Sequence, residues 1–176
     1  KTQKYDLAEA EITAILAIQD LPEAHVILGM AAIGRGQLEA AKTEFEKALA
    51  IRSDFAEAQY QLGIVLRGLG KNDGAIASLE QVIASAPEHL PALTNLTLWT
   101  FEAGTYDKTL QYAEKLRKVN PDNAVALNVM AAIYAQTGKY DDALAILETL
   151  RTVQPDAPNL DVTLGIAYLG KRDFDK

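Results

Sequence analysis

Two histidines, twenty-four carboxylates and no cysteine are the inventory from which any chemistry in this chain would have to be assembled. The lack of cysteine removes disulfides, thiolate metal sites and cysteine nucleophiles together. His25 and His89 stand too far apart in sequence to form a local pair, and neither has the flanking ligands of a metal motif. We expect His25 to be a packed, hydrogen-bonded ring and His89 a surface loop residue. Asp141 and Asp142 read as the acidic start of a helix, where carboxylates favour the positive end of the helix dipole. Glu44, Glu46 and Lys47 read as one charged outer helix face. The segment Gly68-Leu69-Gly70-Lys71 lacks the strand and the following Ser or Thr that a phosphate cradle requires. No nucleophile, base and orienting group come together, so the sequence predicts a protein without catalytic activity, cofactor or metal.

The net charge of −7 argues against a nucleic-acid platform, which needs a dense Lys/Arg surface to release counterions. The densest basic cluster, Lys115, Arg117 and Lys118, adjoins Glu114 and reads as an ordinary solvated helix face. At 49% hydrophobic and 23% charged residues the chain has the composition of a folded domain rather than a disordered one. No apolar run approaches the roughly 20 residues that a spanning helix needs. A soluble protein, cytoplasmic or periplasmic, is the expectation, and the sequence does not choose between those compartments.

The elements that must position these side chains follow from an internal period. Pro87, Pro121 and Pro155 are spaced by 34 residues. The same step aligns Gly36, Gly70, Gly104 and Gly138, then Ala41, Ala75, Thr109 and Ala143, then Leu28, Leu62, Leu96, Met130 and Leu164. Each unit reads as two helices. Residues 124–137 carry Leu127, Met130, Ala131 and Tyr134 at the spacing of one helical stripe. Gly138 supplies the left-handed residue that ends such a helix. A second stripe follows with Ala143, Ile146, Leu147 and Leu150, and Pro155 closes the unit, with Asp156 placed to cap the next helix.

These columns resemble the tetratricopeptide repeat family. The pattern appears as Leu28-Gly29, Leu62-Gly63 and Leu164-Gly165-Ile166-Ala167-Tyr168 on first helices, as Gly138-Lys139-Tyr140 at a turn, and as Ala41 with Phe45 on a second helix. Four complete units fit, at 22–55, 56–89, 90–123 and 124–157. Residues 5–21 match a second helix alone and 158–176 a first helix alone. The resemblance implies an all-α fold, a right-handed α–α superhelical solenoid of helix-turn-helix repeats forming one array over 1–176. The unit 90–123 departs from the pattern: Thr97 replaces a small residue, Thr100 an aromatic, Thr109 an alanine and Ala113 a bulky residue. Trp99, Phe101 and Tyr112 are read as refilling the lost volume; a unit reshaped around a ligand is the alternative.

In this family the first helices line the concave face of the array, and here they carry uncharged runs such as 26–34, 93–101 and 124–137. A stripe beside the core stripe would face that groove: Val26, Met30 and Ile33; Tyr60, Ile64 and Arg67; Thr94, Leu98 and Phe101; and Asn128, followed by Ala132 and Ala135. The stripe lacks the cations with which related repeats grip the acidic tails of heat-shock chaperones, since the matching positions hold Val26, Met30, Tyr60, Gln61, Pro91 and Asn95. The resemblance therefore implies a non-catalytic scaffold that holds a protein or peptide, here an apolar or amphipathic segment, by helix-in-groove docking. Of the stripe, Tyr60, Arg67, Phe101 and Asn128 are the expected anchors. Neither end of the array reads as capped: Ile12, Ile15 and Leu16 lack a first helix, and Leu164 and Tyr168 lack a second. A piece of a longer array is one expectation, and end-to-end self-association of copies is another. A structural or self-assembling spacer is the second function class. The sequence also loosely resembles long repeat proteins of bacterial envelope assembly and exopolysaccharide export.

Overall fold

A computed structural model of the chain describes residues 12–14, 16 and 18–174. Among these every regular element is helical. Of the segment 5–21, expected to be a second helix, residues 12–14 and 16 are helical, while 5–11, 15 and 17, Ile15 included, lie outside the described residues. The following helices are α1 (Pro22–Gly34), α2 (Leu38–Ile51), α3 (Ala56–Gly68), α4 (Asn72–Ser85), α5 (Leu90–Glu102), α6 (Tyr106–Val119), α7 (Ala124–Gln136), α8 (Tyr140–Val153) and α9 (Leu160–Phe174). Packing divides the chain into two compact units, with the division between Pro87 and Glu88.

The turn inside each helical hairpin has one solution, repeated four times. Gly36, Gly70, Gly104 and Gly138 sit at φ of 74°, 74°, 71° and 76°. Each lets the backbone reverse so that the next residue's N–H reaches back to a carbonyl of the first helix: Gln37 to Ala32, Lys71 to Leu66, Thr105 to Thr100 and Lys139 to Tyr134, at 2.9–3.0 Å. The glycine's own N–H reaches a carbonyl one turn back, as from Gly104 to Phe101 at 2.9 Å. This is the Schellman closure, which satisfies carbonyls that a helix end leaves open. The turn between hairpins is extended instead, with Arg52, Ala86, Asn120 and Gln154 leaving the second helices in non-helical conformations. His89 is part of that turn, but not as a plain surface loop residue. Its Nδ1 accepts the Ala92 N–H at 3.1 Å and caps α5, as the Asn123 side chain caps α7 through Ala126 N–H. Helix α9 begins only at Leu160, after Asn159 at φ 63°, which leaves Asp156 in the loop rather than at the cap.

Within the first unit α1 packs on α2, α2 on α3 and α3 on α4, and α1 also touches α3. Within the second, α5 packs on α6, α6 on α7, α7 on α8 and α8 on α9, and α7 touches both α5 and α9. In each unit the first helices thus neighbour one another in an inner layer, with the second helices outside. The cores follow the sequence columns. Ala41, Ala75, Thr109 and Ala143 are fully buried, as are Ala48, Val82, Leu116 and Leu150 on the second helices. The first unit centres on Phe45 with Val26, Ala58, Leu62 and Val65; the second has a cluster of Leu127, Leu147, Leu150 and Leu160.

The departures in 90–123 resolve as packing. Trp99 and Tyr112 are buried, and Thr97, Thr100 and Thr109 have no exposed surface. Their hydroxyls are used internally. Thr97 donates to the Leu93 carbonyl at 2.8 Å, Thr100 to the Leu96 carbonyl at 2.6 Å, and Thr109 to the Thr100 hydroxyl at 3.1 Å. A buried hydroxyl is tolerated only when bonded in this way. The turn chemistry yields a test by paired substitutions. Gly104→Ala forces a side chain into the left-handed region and should destabilise by about 1–2 kcal/mol. Gly165→Ala, on the α9 helix where a Cβ meets open space, should be neutral or stabilising by up to about 1 kcal/mol. Chemical denaturation of the two variants checks both signs.

Candidate functional site

The first helices can bear a contact face because their apolar residues exceed what the core takes up. On α1 the core side uses Ala24, Val26, Ala31 and Ala32, while Met30 remains 50% exposed and Ile27 44%. Ile33 is half-buried beside them. On α3, Tyr60, Ile64 and Arg67 are all half-buried, one helical turn apart. Arg67 is held by Asn72, its Nη1 donating to the Asn72 Oδ1 at 3.0 Å, which fixes the guanidinium near the α3–α4 turn. In the second unit Thr94, Leu98 and Phe101 on α5 and Asn128 and Ala132 on α7 are likewise half-buried. Phe101 lies against Tyr106, ring centroids 6.0 Å apart and tilted by 31°. The Tyr106 hydroxyl in turn donates to Gln136 at 2.8 Å.

Two members of the expected stripe belong to the core instead. Val26 is 6% exposed and packs in the first unit's hydrophobic cluster. Ala135 is 5% exposed and packs with Leu127 and Leu147. The reason is rotational: positions directly beside the core stripe turn inward near a helix end that a neighbouring helix covers. The remaining candidates divide by unit, with Met30, Ile33, Tyr60, Ile64 and Arg67 in the first and Thr94, Leu98, Phe101 and Asn128 in the second.

His25 is held on both sides. Its Nε2 lies 2.7 Å from Asp20 Oδ1 and its Nδ1 2.7 Å from Glu44 Oε2, with the ring 6% exposed. Each ring nitrogen thus faces one carboxylate oxygen. It ties the segment before α1 to α1 and α2. Burial of Glu44 works against its charge, but the hydrogen bonds from Lys47 and His25 and their charges outweigh that and hold its carboxyl below its ordinary value. Among the described residues no group of three or more His, Asp or Glu side chains is gathered as a metal site would require. No described helix is long and apolar enough to cross a membrane.

The sequence model of the tetratricopeptide repeat matches residues 32–97 and 100–164, which is well over half of the chain. The chain belongs to the tetratricopeptide repeat family. Its fold is accordingly the all-helical repeat solenoid, and repeats of this family are protein-binding scaffolds. Among solved structures, a crystal structure of MamA is similar at a TM-score of 0.76 and 22% identity, covering 86% of this chain and 89% of that one. YrrB, described as a tetratricopeptide repeat protein with an unusual peptide-binding site, is similar at a TM-score of 0.75 and 22% identity, over 97% of this chain and 84% of that one. A protein named pilF from Pseudomonas aeruginosa is similar at 0.66 and 20% identity, over 87% and 70%. At these identities the likeness carries the fold and nothing finer. No curated protein sequence matches the chain.

The tetratricopeptide pattern alone does not point to the Glu44 site, since its helix position is ordinary and only the partner His25 is unusual. The sign of its pH dependence follows from the direction of its shift. A carboxyl held below its unfolded value adds stability above that value and loses it as pH falls through the folded one. Glu44→Gln should therefore lower Tm most above about pH 5, and the gap to wild type should close as pH falls below the ordinary carboxylate value of 4.5. Thermal melts across that range measure it.

Proposed function

We propose that this tetratricopeptide scaffold binds an apolar or amphipathic peptide or helix along its first-helix face, without catalysis of its own. The observation that carries the reading is Met30, a long flexible side chain half exposed on the inner layer with Ile33 beside it, and Ile64 and Tyr60 on the neighbouring α3. A thioether adapts to irregular apolar partners, and exposed Met on a face otherwise lined with Ile and Tyr suits such a ligand. Arg67 and Asn128 supply polar groups at the margins of each unit's face. Support also comes from YrrB, whose described peptide-binding site shows that a scaffold of this fold takes peptide ligands. The composition of the face does not suit an acidic tail, because Arg67 is its single cation among the candidate residues. Nucleic acid is disfavoured by the charge of −7.

Affinity capture from a native lysate tests this reading. Wild type should retain a protein that the variant carrying Tyr60→Ala, Arg67→Ala and Phe101→Ala loses, with helicity by circular dichroism unchanged. Equal retention by both, or by neither, contradicts it.

A second reading, self-assembly, is favoured by α9. Val162, Ile166 and Leu169 are 63%, 50% and 65% exposed at the spacing of one helical stripe, and Tyr168 adds 52%. Val162→Lys with Leu169→Lys should abolish any concentration-dependent rise in mass seen by light scattering; a wild-type mass that stays constant with concentration sinks the self-assembly reading.

A further inference from the structure

By its place in the 34-residue period α9 is a first helix, and the earlier repeats state what such a helix is shaped to receive. Gly29 and Gly63 stand in the column of Gly165, and each is a seat for a large side chain of the second helix that follows. A Cβ on Gly29 would lie 2.6 Å from the Phe45 ring, and one on Gly63 would lie 2.9 Å from Leu79. At Gly165 a Cβ would meet nothing within 4 Å among the described residues. The surface around it is open to match. Tyr168 is 52% exposed, where Ala32 and Thr100 in its column are 7% and 0% exposed. Asp161 is exposed too, where His25, Gln59, Leu93 and Leu127 in its column are all buried. Asp161, Gly165 and Tyr168 follow one another by single turns along one side of the helix.

Asp161 is the group that says what an occupant must carry. In the first repeat its column meets the column of Glu44, with His25 Nδ1 lying 2.7 Å from Glu44 Oε2 between α1 and α2. Across the repeats the two columns match in chemistry. His25 stands with Glu44, Gln59 with Ser78, Leu93 with Tyr112 and Leu127 with Ile146, each pair 19 positions apart. An ionisable pair, a neutral polar pair and two largely apolar pairs thus fill the same two places. The physical reason is that a group buried beneath a second helix needs a counterpart of its own kind on that helix. A carboxylate in this column therefore calls for a cation opposite. The chain's own second helices offer Glu44, Ser78, Tyr112 and Ile146 there, and none of these is a cation, so none of them is its complement.

We propose that α9 seats an amphipathic helix of a partner protein, in the place a second helix takes in the earlier repeats, and that this helix carries a Lys or Arg opposite Asp161. The neighbouring columns give the rest of its pattern. Ala41, Phe45 and Ala48 on α2, and Ala143, Leu147 and Leu150 on α8, are buried without exposed surface. The occupant accordingly has a small residue, a cation three positions later, a large apolar residue directly after the cation, and a further apolar residue three positions on. The large side chain fills the space over Gly165, the helix covers Tyr168, and the cation pairs with the Asp161 carboxylate. None of Asp161, Gly165 and Tyr168 belongs to the candidate face, so the seat is separate from the binding face proposed above. The self-assembly reading uses the same helix, but the chemistry of this seat names a different occupant.

The test is a titration of the full chain, followed by amide resonances, with a peptide copied from α2, residues 38–51. A lactam between Lys42 and Glu46, which already pair at 2.7 Å across one turn, holds it helical. One peptide keeps Glu44 and the other carries Glu44→Lys. The Lys peptide should give saturable shifts at Asp161, Gly165 and Tyr168 and bind roughly tenfold tighter than the Glu peptide. Asp161→Lys in the chain should invert that order. Gly165→Leu, whose added Cβ meets open space, should keep the chain's helicity and abolish binding, and so should Phe45→Ala in the peptide. The variant carrying Tyr60→Ala, Arg67→Ala and Phe101→Ala should bind the Lys peptide normally, so loss of this seat is read separately from loss of the first-helix face. Shifts absent from α9, equal affinity for the two peptides, or undiminished binding to Gly165→Leu would each overturn the assignment. So would a concentration-dependent mass of the chain alone that Gly165→Leu abolishes, which would make a second copy the occupant.

Discussion

The close approach of each first helix to its own second helix is the constraint on which the rest of the structure depends. It is made by pairing a small residue with a large one, sixteen positions apart, in three of the four repeats. A Cβ added to Gly29 would lie 2.6 Å from the Phe45 ring, and one added to Gly63 would lie 2.9 Å from Leu79. Ala131 with Leu147 repeats the pairing, and all the large partners are fully buried. Such contacts leave no slack, because protein interiors pack at crystal density. The repeat 90–123 keeps the constraint by redistributing volume: Thr97 and Ala113 share the space, and Trp99 and Tyr112 fill the flanks. The proposed function rests on the same geometry. With each first helix seated against its partner, the rest of its surface is left to the neighbouring first helix and to solvent, and Met30, Ile64 and Leu98 keep part of their apolar surface uncovered.

Polar groups inside this frame are of two kinds. The threonines of 90–123 are satisfied locally, mostly by carbonyls of their own helix, so they stiffen the repeat without inviting anything in. His25 is of the other kind, matched by partners brought from two separate segments. The same column of the repeat thus holds leucine at 93 and 127, an amide at Gln59 and a bonded ring at His25, which is where a repeating fold has room to differ between copies.

Much of this was legible in the residues. The 34-residue period, the glycine turns and the alanine columns are local and steric, so they read directly from spacing; Gly138 and its three equivalents adopt the positive φ that their place in the period demands. Side-chain capping was less legible. His89 caps α5 because its ring nitrogen happens to reach Ala92, and histidine is not a residue whose type announces a cap. The candidate face was legible as a stripe but not as a surface. Val26 and Met30 share that stripe by spacing, yet one is buried and the other half exposed, since burial is set by the neighbouring helix and not by the helix's own period.

The central claim is that the inner layer of first helices, not the outer layer of second helices, meets the partner. Site-specific photo-crosslinking in native lysate measures this directly, with the probe placed at Met30, Ile64 or Leu98 on first helices and at Glu46, Lys108 or Glu148 on second helices. The account predicts a shared adduct from the first-helix positions and none from the second. The same adduct arising from the second-helix positions alone would contradict it.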